Sequence, residues 1–199
     1  MTMIREIARM GRRVLNQVER EGYVIERYDA PPGQPIAAFR GKVVVGERTY
    51  PCDTAFSINT GDIPGGARAE FATLIHEGRQ GKNVEHQRQV ISNLSSDLPG
   101  KLVPDYRDSS YDVMYITSEP ASKLDGDLAV DNIRHHAQVK ATIEPHLEHL
   151  DQTLGLESHT QLSASERFGK DYMNAVRGLP SAPKTIYIPD QSRRKEGAQ

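Results

Sequence analysis

Apolar residues recur at helical spacing over residues 125–154. Val139, Ile143, Leu147, Leu150 and Leu154 lie four, four, three and four apart, which makes one face of a long helix. Ala129 and Ile133 extend that face upstream, and His136 projects into it. Asp125 is a suitable N-cap, and Asp127 suits the positive end of the helix dipole. Gly155 supplies the stop. Pro145 interrupts the pattern, because proline removes one backbone hydrogen bond and crowds the preceding turn. The expectation is a long Pro-kinked helix, or two helices that meet near residues 142–145.

A second helical pattern covers residues 3–21. Ile4, Ile7, Leu15 and Val18 face one way. Arg5, Arg9, Arg12 and Arg13 gather on the other side. Alternating or short apolar runs at 23–28, 36–39, 42–45, 48–50 and 55–58 predict strands. Residues 36–39 and 42–45 read as two strands joined near Arg40-Gly41, and Gly46-Glu47 reads as a turn. Ala67, Phe71, Leu74 and Ile75 match a helix over 67–77, opened by the glycine-rich NTGDIPGG loop at 59–66. Asn83 is expected to cap a further helix through about Leu94. Residues 113–117 read as a strand. Ser163-Ala164-Ser165-Glu166 matches a capping box and predicts a helix to about Arg177. Residues 185–188 suggest an edge strand.

Early strands and mainly late helices give an α+β expectation: a small, mainly antiparallel sheet from the N-terminal third, covered by several helices. The length of 199 residues suits one domain over 1–189, followed by a mobile charged tail over 190–199.

Charge narrows the partner classes. The net charge is −2, which does not favour nucleic acid. Residues 97–131 hold eight acids against three bases, a net of −5, interleaved with Tyr106, Tyr111 and Tyr115. No apolar run is long enough to span a bilayer. One cysteine rules out an intramolecular disulfide framework and suits a reducing, cytoplasmic setting.

Chemistry-bearing candidates are few. His146 and His149 are helix neighbours able to share a divalent metal, with His135 across the kink or an acid from 125–131 as further ligand. Ordinary solvated polar positions explain the same residues, with His136 a hydrogen-bonded core histidine. Asp125, Asp127 and Asp131 offer oxygen ligands for a hard cation, although helix capping accounts for them equally. The 59–66 loop lacks the Walker pattern, so phosphate binding there needs the following helix start. Cys52, the single thiol, has His76 as its nearest histidine in sequence.

The leading expectation is a non-enzymatic accessory, regulatory or assembly factor. It would need no cofactor and would work through a protein partner or self-association, with the basic helix at Arg5, Arg9, Arg12 and Arg13 as the partner-facing element. A metal-assisted hydrolase using the central-helix histidines is the alternative. A cysteine-dependent enzyme or secreted effector using Cys52 is a second alternative.

Overall fold

The computed structural model describes residues 2–28, 34–59, 66–155 and 184–188. The elements are α1 (Thr2–Arg20), β1 (Val24–Arg27), β2 (Pro35–Val45), β3 (Arg48–Pro51), β4 (Thr54–Asn59), β5 (Arg68–Arg79), α2 (Val84–Ser95), β6 (Lys101–Tyr106), β7 (Ser110–Pro120), α3 (Gly126–Thr153) and β8 (Lys184–Ile188). A short 3-10 turn, Ala121–Lys123, links β7 to α3. The class is α+β.

The sheet runs β1-β2-β4-β5-β7-β6, with every pair along that path antiparallel. It extends well beyond the N-terminal third, because β5, β6 and β7 join it from residues 68–120. The expected join at Arg40-Gly41 is instead the middle of one strand. Before it, β2 pairs with β1 and β4. After it, β2 pairs antiparallel with β3 and in parallel with β8. The strand stays continuous and exchanges neighbours there. Asp53 Oδ1 accepts the Gly41 N–H at 3.3 Å, and Gly41 O accepts the Cys52 N–H at 2.8 Å.

Residues 68–79 are not a helix but the long strand β5. Their alternation explains this. Ala69, Phe71, Thr73 and Ile75 all point into the core, at a period of two. A register shift against β7 between Leu74 and His76 then breaks the alternation, so Thr73 through His76 are all buried. With no helix starting at residue 67, the phosphate reading of the 59–66 loop loses the element it required.

The two expected N-caps are in place. Asn83 Oδ1 accepts the His86 N–H at 3.1 Å at the start of α2. Asp125 Oδ1 accepts the Leu128 N–H at 2.8 Å at the start of α3. Helix α3 is one helix through Pro145 rather than two. Packing against the sheet compensates for the missing proline N–H: Ala141, Ile143, Glu144 and Leu147, all within a turn of the proline, are buried. The helix expected at 163–177 and the tail at 190–199 lie outside the described residues.

The core divides along α3. Its first half joins α1 and the phenylalanines Phe39, Phe56 and Phe71 of β2, β4 and β5. Its second half packs with Ile91 of α2 and with Tyr111, Val113 and Tyr115 of β7. Gly126 lets α1 approach closely, since a methyl there would strike the Cβ of Gln17. Among the described residues no helix is long and apolar enough to cross a membrane.

Candidate functional site

A row of polar residues runs down the buried face of α3. Asn132, His136, Lys140 and Glu144 follow at intervals of four, and Asp151 lies seven further on. That spacing sets them on one side of the helix, facing the sheet. Burying such groups is costly unless each finds a partner, and the sheet supplies the partners.

The upper part of the row is neutral. Thr73 Oγ1 lies 2.9 Å from His136 Nδ1, and Thr117 Oγ1 lies 2.8 Å from His136 Nε2. Thr54 Oγ1 meets Thr73 Oγ1 at 2.8 Å, and Thr117 donates to Asn132 Oδ1 at 3.2 Å. No carboxylate is among these partners. Burial, with a smaller contribution from His135, lowers the His136 pKa to about 3, so the ring is neutral.

The lower part is ionic. His76 Nε2 lies 2.8 Å from Asp151 Oδ2, and His76 Nδ1 lies 3.2 Å from Glu144 Oε1. Tyr111 donates its hydroxyl to Asp151 Oδ1 at 2.7 Å. Lys140 Nζ lies 2.7 Å from Glu144 Oε2, and it donates to the carbonyls of Leu74 at 2.8 Å and Ile75 at 2.9 Å. Those carbonyls sit at the β5 irregularity, where the strand ladder is locally disturbed. The bulge therefore presents acceptors, and Lys140 reaches through the core to them.

The charges of this cluster balance. His76 and Lys140 are cations, Glu144 and Asp151 anions. Burial alone would push the His76 pKa down, but its bonds to Asp151 and Glu144 outweigh burial and raise it to about 9. Burial likewise pushes Glu144 up, yet the His76 bond and the Lys140 charge bring it below the ordinary carboxylate range. Tyr111 is raised, first by burial and then by Asp151.

This geometry limits what the groups can do. A general base needs a free lone pair, and both nitrogens of the His76 imidazolium carry protons held by carboxylates. The Tyr111 proton is held by Asp151. The ammonium of Lys140 donates to two backbone carbonyls and faces Glu144 Oε2 as an ion pair. The cluster is also tightly packed. A methyl group on Gly78 would strike Asp151 Oδ2, Tyr111 Cε1 at 2.6 Å and His76 Nε2 at 2.8 Å. The arrangement works as an ionic clamp between α3, β5 and β7.

The residues expected from sequence fall in separate places. Cys52 is buried against Val43, Ala137 and Ala141, whereas His76 gives both ring nitrogens to carboxylates. His76 sits on strand β5, not on the helix expected over 67–77. His135 is half-buried, with Nε2 2.9 Å from the Tyr115 hydroxyl. His146 and His149 are exposed on α3. Among the described residues, no group of three or more His, Cys, Asp or Glu side chains is placed to hold a metal. Asp127 accepts from Gln17 Nε2 at 3.3 Å, and Asp131 pairs with Arg134 at 3.7 Å. Arg9, Arg12 and Arg13 are exposed on α1, and Arg5 lies one turn earlier in the same helix.

Sequence reasoning passed over Lys140, Glu144, Asp151 and Tyr111. The available signal was the interval of four from His136 to Lys140 to Glu144, set between the alanines Ala137 and Ala141 and the apolar Ile143 and Leu147. No protein-family model, curated protein or solved structure matches this chain.

Proposed function

We propose that this chain acts by contact rather than by turnover: a non-enzymatic accessory, regulatory or assembly factor that docks on another protein. The observation that carries this reading is the contrast between core and surface. The buried titratable groups of the α3 row find their partners inside the core, whereas α1 displays arginines with no carboxylate at ion-pair distance among the described residues. Charges left unmatched within a chain are available for electrostatic complementarity with a partner. A cytoplasmic setting goes with this reading, supported by a single cysteine that lies buried.

Light scattering on the purified chain, combined with quantitative capture against an unrelated bait of equal charge, tests it. The expected result is a stoichiometric complex with another protein or with a second copy. A strictly monomeric chain that retains nothing beyond the control bait contradicts the proposal.

A further inference from the structure

A chain that works by contact must carry a face that its own residues leave unsatisfied. Several surface arginines here do not qualify. Arg27 pairs with Glu19, Arg48 with Glu148, Arg107 with Asp105 and Asp112, and Arg134 with Glu21. Helix α1 differs. Arg9, Arg12, Arg13 and Arg20 are all exposed, and none has a carboxylate at ion-pair distance among the described residues. Arg12 spends only its Nε, on the carbonyl of Ala8 at 3.3 Å. The opposite face of the helix is fixed, because Val14, Leu15 and Val18 are buried in the core. The arginines are therefore presented on a held helix. From Arg9 to Arg20 the row spans about 17 Å, at 1.5 Å per residue.

We infer that this face of α1 is a docking site for an acidic helical segment of a partner protein. The inference rests on the contact reading above and adds the chemistry of the partner. Guanidinium groups pair bidentately with carboxylates. Carboxylates three or four residues apart on a second helix match the step from Arg9 to Arg12 and Arg13, and one seven residues further on matches the step to Arg20. A uniform polyanion fits less well. The C-terminal end of the row is not purely cationic: Arg13 and Arg20 share a cleft with Asp125 and Asp127 at the start of α3. These two carboxylates repel a phosphate backbone or an anionic bilayer at that end. A protein segment can meet them with a neutral or basic residue and keep its acids for Arg9, Arg12 and Arg13. The net charge of −2 also gives no general attraction to polyanions.

The test uses the full chain and two helix-forming synthetic peptides of identical composition. One carries its glutamates along a single face; the other spreads them around the helix. Phosphatidylglycerol vesicles and a short RNA duplex are the competing probes. Fluorescence anisotropy at low salt should show the one-face peptide bound at least about tenfold more tightly than its isomer, with the affinity falling as salt rises. Arg9→Glu with Arg13→Glu should abolish that preference while leaving the circular dichroism spectrum and melting temperature in place. Arg9→Gln with Arg13→Gln should weaken binding in the same direction, which guards against a folding defect in the reversed variant. Equal binding of the two peptides, tighter binding of vesicles or RNA, or indifference to both variants overturns the inference. A protein partner retained equally by the wild type and the reversed variant overturns it too, and leaves the contact reading standing.

Discussion

Two histidines lie on the same buried seam and are held in opposite states. His76 and His136 are both fully buried. His136 is ringed by threonine hydroxyls and is neutral, with its pKa lowered to about 3. His76 lies between two carboxylates and is charged, with its pKa raised to about 9. Burial opposes the charged form in both. The outcome is decided by whether the sheet and helix bring carboxylates to the ring. Histidine in a core is thus not one kind of group, and neither state leaves a ring nitrogen free for catalysis.

The largest effect is expected at Lys140. Lys140→Met leaves Glu144 short of a cation and two carbonyls short of a donor, and should cost about 3–5 kcal/mol in denaturant unfolding. A loss no larger than that of a neutral hydrogen bond would show that the cluster is not ionic.

The pH dependence comes next. His76 binds its proton more tightly in the folded than in the unfolded state, so its contribution is complete below pH 6.5 and is lost as pH rises through about 9. The expected loss is about 3 kcal/mol over that window. His136 acts in the other direction. Its folded pKa is depressed, so its contribution is complete above pH 6.5 and is lost as pH falls toward 3. The lowered Glu144 adds to the acid side, since its contribution disappears as the carboxylate is protonated. Stability should therefore peak near pH 6.5 and fall on both sides. A stability curve that is flat from pH 6.5 to 9.5 would remove the charged His76.

On the neutral side, Thr117→Val deletes the hydroxyl partner of His136 Nε2 and Asn132 Oδ1. A cost of about 1–3 kcal/mol is expected, with little change in the alkaline limb of the pH profile. A shifted alkaline limb would mean that the two histidines are coupled.

The smallest effect should come from the exposed side of α3. His146→Ala combined with His149→Ala should change stability by no more than about 0.5 kcal/mol, and added Zn²⁺ should leave the melting temperature where it was. A rise in melting temperature with Zn²⁺ that vanishes in the double variant would revive the metal-assisted alternative.

Where local signals act alone, the chain is readable from its sequence. Asn83 and Asp125 cap helices, the spacing from Val139 to Leu154 marks the long one, and Gly46 turns β2 into β3. Strand β5 was not readable, because Ala67, Phe71, Leu74 and Ile75 satisfy a helical period while the bulge after Thr73 interrupts the strand period. Strand β6 is hidden by Pro104, which an outer strand tolerates because one of its sides needs no ladder partner. The ionic clamp was hidden for a different reason. His76 meets Glu144 and Asp151 across 68 and 75 residues of chain. From sequence, Glu144 stands out only as the residue before a proline, and Lys140 as a charge on a helix. Burial of a lysine becomes intelligible only once the Leu74 and Ile75 carbonyls are in place.

The most direct test of the account is a ¹⁵N-detected NMR titration of the two ring systems, assigned by His76→Gln and His136→Gln. At pH 7.5 both nitrogens of His76 should be protonated while His136 is a neutral tautomer, and His76 should lose its proton only near pH 9. A His76 ring that titrates near pH 6.5 would contradict this. That ring would offer a free lone pair at neutral pH, and the case for chemistry at this site would have to be reopened.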